Sequence, residues 1–183
     1  MNAHTSNVSI KYLIGLIIIY PLLFVWQGLD FTDTGFWLTG YRIFLSHPES
    51  IGSGIANWGS YAIGWLVSFF TADLGILGFK FADAIVCWAT LFISYLLLND
   101  VNDKKDKHLI LILLFTTLLY ATKTIGNWIG YNNLTGLTYI AGGALLYFGL
   151  QRSSVTKICI SGLITGAGIF IRFPNLLGIV NHI

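Results

Sequence analysis

Long apolar runs constrain this chain before anything else. Residues 10–26, 74–98, 109–125 and 134–150 each form a run of 17 residues or more, and a further run begins at 158 and is interrupted at Arg172. The chain is 55% hydrophobic and 10% charged, whereas a soluble domain carries about 25% charged residues. Lipid is therefore the expected solvent. In hydrocarbon each backbone N–H and C=O must find a partner within its own segment, so the runs are expected to fold as helices. The fold class this predicts is an all-α membrane protein with about five transmembrane helices. One or two interfacial helices are expected in a long first extracytoplasmic loop.

The first run carries Lys11 near its start, Pro21 near its end and Trp26 at its far edge. No small-residue cleavage pattern follows it, so it reads as an uncleaved span rather than a signal peptide. The loop at 27–73 comes next. Within it, 46–57 is rich in Ser, Gly and Pro and reads as a true loop. Residues 58–70 are apolar and aromatic but too short to span, which fits an interfacial or re-entrant helix. Residues 99–108 form the strongly polar run, 126–133 a short loop and 151–157 a polar turn. The fifth run is rich in glycine and small residues that permit close helix packing. The whole of 1–183 reads as a single transmembrane region. Its end, just past a helix break with no polar tail, reads as the N-terminal portion of a longer protein.

Basic residues favour the cytoplasmic side. With a cytoplasmic N-terminus, Lys11, Lys104, Lys105, Lys107, Arg152 and Lys157 fall inside, while Arg42, Lys80, Lys123 and Arg172 fall at the outer edge. Arg172 lies ~22 Å along a helix from Lys157 at 1.5 Å per residue. Asp30, Asp33, Arg42, Lys80, Asp83, Lys123 and Arg172 are thus expected to gather at one depth.

The stretch 27–45 holds Asp30 and Asp33 at the mouth of the first span, then turns amphipathic through Phe36, Trp37, Tyr41, Phe44 and Leu45. A carboxylate there can act as a general base. It can equally cap the helix that follows, since Asp33-Thr34-Gly35 stands where an N-cap belongs. Lys80 and Asp83, three apart, are either an ion pair inside a span or a pocket lining with Lys80 near an anion. Arg172 precedes Phe173-Pro174, which predicts that the helix ends about Arg172. A guanidinium there can hold a phosphate bidentately or snorkel to the interface.

Other chemistries find no support. The net charge of +2 is scattered and forms no stripe for nucleic acid. No His, Cys, Asp and Glu spacing suggests a zinc site, and no phosphate loop, dinucleotide fingerprint or nucleophile elbow occurs. No cofactor is required by any motif, and a divalent metal is unsupported. Cys87 and Cys159 each sit in an apolar run and read as small apolar residues.

Four features together resemble the N-terminal part of the GT-C class of integral-membrane glycosyltransferases, which includes protein mannosyltransferases and aminoarabinose transferases. They are an uncleaved first span with a long outer loop bearing Asp33-Thr34-Gly35-Phe36; aromatic juxtamembrane helices; Tyr131-Asn132-Asn133-Leu134-Thr135 at the next outer edge; and Gly162, Gly166 and Phe170-Ile171-Arg172-Phe173-Pro174-Asn175 in a glycine-spaced helix ending in a basic residue and proline. Thr34 stands where the family often has a second acid. The resemblance implies sugar transfer at the extracytoplasmic face from a polyprenyl-phosphate-linked donor to a glycan, lipid or protein acceptor. Asp33 would be the general base, with Asp30 beside it. Arg172, Lys80, Arg42, Tyr131 and Asn132 would bind substrate, Arg172 and Lys80 at the lipid phosphate. The competing expectation is a non-catalytic transport or polysaccharide-export component, or an inactive truncated remnant. Transporters often show repeated halves. This chain shows no repeat, and its acidic-aromatic outer loop favours the transferase.

Overall fold

The computed structural model describes residues 3–26, 33–49, 56–102, 106–124 and 129–173. Among them the chain is all-helical: α1 (Ala3–Leu23), α2 (Asp33–Ile43), α3 (Trp58–Phe70), α4 (Ile76–Val101), α5 (Lys107–Thr124), α6 (Tyr131–Gln151) and α7 (Val155–Ile171). A 3-10 turn, Ala72–Leu74, joins α3 to α4. One described helix, α4, is long and apolar enough to cross a membrane; its 26 residues extend ~39 Å at 1.5 Å each.

The apolar runs do become helices, and they carry apolar side chains outward as well as inward. Leu16, Ile19 and Leu23 on α1, Ile85, Phe92 and Leu96 on α4, and Leu163 and Phe170 on α7 are all exposed. Exposed apolar surface on that scale marks contact with lipid or protein.

Polar contacts give the helix directions. Asp83 and Asn133 bond near the starts of α4 and α6, and Gln151 Nε2 donates to Asp100 Oδ2 at 3.1 Å near their ends. The two helices therefore run parallel in near-equal register. Ser9 and His108 meet at 3.4 Å near the starts of α1 and α5, and Tyr20 and Phe115 pack further along, so this pair is parallel as well. Lys80, early in α4, bonds the carbonyl of Phe24, just past the end of α1, so α1 and α4 are antiparallel. As a result the end of α1, the starts of α4 and α6, and α2 and α3 lie at one end of the molecule, with the end of α7.

The turn between α6 and α7 is a helix-ending motif in which Ser154 N–H bonds Gly149 O at 2.8 Å and Ser153 takes the left-handed conformation, φ 49°. The α6–α7 hairpin is the tightest pairing. A Cβ at Gly142 or Gly149 would strike the facing helix, one at Gly168 would press on the Thr138 hydroxyl at 3.1 Å, and Ser161 Oγ donates to Gly142 O at 2.7 Å. Gly162 and Gly166 have nothing within 4 Å. The sequence singled those two out, but close approach is made by Gly142 and Gly149 of α6 and by Gly168 of α7. The expected loop at 126–133 also needs correction. Tyr131, Asn132 and Asn133 form the first turn of α6, with Gly130 extended ahead of them and Leu134 N–H bonding Gly130 O at 3.1 Å. The first four N–H groups of a helix have no intrahelical partner, so this turn tolerates the two asparagines.

Two cores result. An aromatic one joins Leu38, Tyr41, Phe44, Tyr61, Phe79, Ile129, Leu134 and Ile171, at the end where α2 and α3 lie. An aliphatic one joins Leu91, Ile110, Leu114 and Leu118, flanked by Ile17 and Tyr20.

Candidate functional site at the aromatic end

The site is built on α2. Its amphipathic repeat turns Leu38, Tyr41 and the following Phe44 inward, and leaves Phe36, Thr39 and Arg42 outward. Tyr41 is fully buried and donates its hydroxyl to Ile129 O at 2.9 Å. Burial, followed by the nearby Tyr61 and Tyr131 phenols, pushes its pKa well above the ordinary phenol range, so it remains a donor. Gly64 of α3 lets the Tyr41 ring lie directly on the helix backbone, since a Cβ there would fall inside the ring. Gly59 does the same for α7: a Cβ would sit 2.5 Å from Phe170 O. These glycines are the reason α3 can pack between α2 and the end of α7.

Trp37 connects the core to the outer residues. Its ring stacks on Tyr61 at 4.7 Å and meets Tyr131 of α6 at 5.3 Å. Tyr131 also meets Arg172, whose guanidinium carbon lies 4.9 Å from the ring centroid and whose Nη1 donates to Asn132 Oδ1 at 3.4 Å. α7 ends at Ile171, as Pro174 predicted, and Arg172 takes an extended conformation. The next residue fixes this exit, because Phe173 N–H bonds Ala56 O at 2.6 Å, ahead of α3. Arg172, Tyr131 and Asn132 therefore come together, next to the helix that Asp33 opens. Asp30 and the side chains of Asp33 and Lys123 lie outside the described residues. Asp33 is the first residue of α2, four positions ahead of Trp37.

Lys80 and Asp83 have a different setting. Lys80 is 6% exposed, and its Nζ donates to Phe24 O at 3.1 Å. The last carbonyls of a helix have no intrahelical donor, and the chain tightens into short turns through Val25, so the carbonyls at the end of α1 want outside donors. Lys80 supplies one, and a cation suits a helix C-terminus. Asp83 accepts from Asn133 Nδ2. One turn of α4 thus ties the end of α1 to the start of α6. A cavity of about 20 Å³ remains between them, lined by Pro21, Phe24, Lys80, Asp83 and Cys87. Lys80 thus acts as a strut between α1 and α4.

Arg42 stands apart again, on the outer side of α2 against the start of α4, in an open groove of about 460 Å³. Sequence reasoning missed Trp37 as the connector and Asn133 as the partner of Asp83. The aromatic spacing after Asp33 held a signal for the first; the second needed the register of α4 against α6. His47 is exposed and pairs with Glu49 at 3.2 Å, away from these groups. No protein-family model, no curated protein and no solved structure matches this chain.

Proposed function

We propose that this chain is a membrane glycosyltransferase of the GT-C kind, or the N-terminal part of one. In this reading α1, α4, α5, α6 and α7 are its five spans, α2 and α3 lie at the extracytoplasmic interface, and the N-terminus is cytoplasmic. The donor is a sugar on a polyprenyl phosphate and the acceptor carries a hydroxyl. Asp33 takes the acceptor proton. The acceptor oxygen attacks the anomeric carbon, the bond from that carbon to the phosphate oxygen breaks, and the configuration inverts. The leaving phosphate keeps the electron pair, and Arg172 meets its charge by bidentate hydrogen bonds.

The observation that carries this reading is the placing of Arg172 over Tyr131 and against Asn132, with Trp37 linking them to the helix opened by Asp33. A guanidinium held by a ring face and one weak acceptor keeps donors for an anion. The tether of Lys80 to Phe24 O gives that residue a supporting part and leaves the phosphate to Arg172.

The test is sugar transfer from polyprenyl-phosphate donors in membranes containing the chain, wild type against Asp33→Asn. Wild type should transfer sugar, and Asp33→Asn should lose at least ~100-fold, the usual weight of a general base. Equal transfer would move the base to Asp30. Absence of transfer by a fully inserted wild type, across a range of donors, would favour the non-catalytic reading.

A further inference from the structure

The groove beside Arg42 belongs to neither the Arg172 locus nor the Lys80 strut. It runs between α2 and the first turn of α4, and Leu38, Ile43, Ile76 and Phe79 give it apolar walls. Neither Arg172, Tyr131 nor Asn132 lines it. Thr39 also lines it, but its hydroxyl donates to Gly35 O at 2.9 Å within α2. Arg42 is exposed and makes no ion pair with a described residue. Its guanidinium reaches the neighbourhood of Gly75, where a Cβ would meet Nη2 at 4.0 Å.

Among the described residues the wall therefore offers one cation, Arg42, beside an apolar floor. A free anion has no use for the floor, and an acidic peptide calls for more than one cation. The complement is a molecule with one negative head and an apolar tail. Depth agrees. The groove opens at Ile76, the first residue of the helix able to cross a bilayer, and the ends of such a helix lie at the headgroup level.

We propose that this groove binds an anionic phospholipid of the surrounding bilayer, its phosphate on Arg42 and an acyl chain along Leu38, Ile43, Ile76 and Phe79. Arg suits the head because its planar fork matches phosphate oxygens in pairs. The volume falls within the range of ordinary ligand clefts. A lipid seated there would brace α2 against α4. The inference rests on the chain lying in a membrane and is independent of sugar transfer.

The experiment titrates the whole chain, purified in mild detergent, with short-chain phosphatidylglycerol, short-chain phosphatidylcholine and inorganic phosphate, reading the thermal unfolding midpoint. Carbonate extraction of the source membranes is scored alongside. Phosphatidylglycerol should bind roughly tenfold more tightly than phosphatidylcholine, the worth of one good charge contact, and inorganic phosphate should shift nothing. Arg42→Gln should erase the preference for the anionic lipid. Thr39→Phe, which keeps the cation and fills the groove, should weaken both lipids. The proposal is overturned if wild type does not prefer phosphatidylglycerol, if Arg42→Gln keeps that preference, if Thr39→Phe binds both lipids like wild type, or if inorganic phosphate reproduces the shift. Release of the chain by carbonate would remove the membrane reading and this inference together. A lost lipid preference in a carbonate-resistant chain removes this inference alone.

Discussion

The two cores are built from different residues for different purposes. The aliphatic core around Leu91, Ile110, Leu114 and Leu118 is four branched side chains between α4 and α5, edged by α1. Any side chain of similar volume would hold those helices together. The aromatic core is made of rings with polar handles. Tyr41 spends its hydroxyl on Ile129 O, Trp37 stacks on Tyr61, and glycines at 59 and 64 admit ring and backbone where no Cβ fits. Its shape is specific, and Tyr131, Asn132 and Arg172 stand beside it. The difference teaches where to look for function in a helical chain whose exterior is apolar nearly everywhere. Apolar burial marks both regions, while ring stacking joined to a buried hydroxyl-to-carbonyl bond marks the aromatic one.

The comparison can be broken by mutation. The largest loss of stability should come from Leu118→Ala in the aliphatic core, about 3 kcal/mol by loss of a buried leucine. It should leave the arrangement around Arg172 intact, which cysteine cross-linking between positions 131 and 172 would check. Gly59→Ala comes next, at about 2–3 kcal/mol for overpacking against the backbone of Phe170, which cannot step aside. Unlike the first, it should also abolish that cross-link, because it parts α3 from the end of α7.

Smaller effects sharpen the contrast within the aromatic core itself. Tyr41→Phe should cost about 1–2 kcal/mol, since Ile129 O loses its donor in a buried place. Tyr61→Phe should be close to neutral, because the Tyr61 hydroxyl is buried without a partner among the described residues. Equal losses for the two would mean that the hydroxyls do not distinguish the rings. Smallest of all, Gly143→Ala meets open space and should stabilise α6 by up to about 1 kcal/mol through helix propensity. All of these are readable by denaturant titration in mixed micelles.

Much of the fold was legible as apolar runs, because run length alone separates a long helix from the short aromatic one at Trp58–Phe70. The end of α7 was legible too, since a proline at 174 disfavours helix in the residue before it. The start of α6 was not. Asn132 and Asn133 look like turn residues, and their acceptance into a first helical turn depends on Gly130 ahead of them and on Asp83 and Arg172 as side-chain partners. The roles of the glycines were hidden for the same reason. Gly162 and Gly166 share the spacing of packing glycines, yet which face of α7 meets α6 is decided by α6. In the site, residue types announced Arg172 and Lys80 equally as cations near one end. Only the position of the Phe24 carbonyl separates Lys80, tied to the end of α1, from Arg172, seated on Tyr131 and Asn132.

The most direct test of the account is a donor titration with Arg172→Gln, reading KM and kcat for sugar transfer separately. A phosphate-holding Arg172 predicts a KM for the polyprenyl-phosphate donor raised about tenfold or more, the worth of a charged hydrogen-bonded pair, with the acceptor KM unchanged. An unchanged donor KM in a variant that retains its fold would contradict it, and the aromatic end would then be a packing device without a substrate.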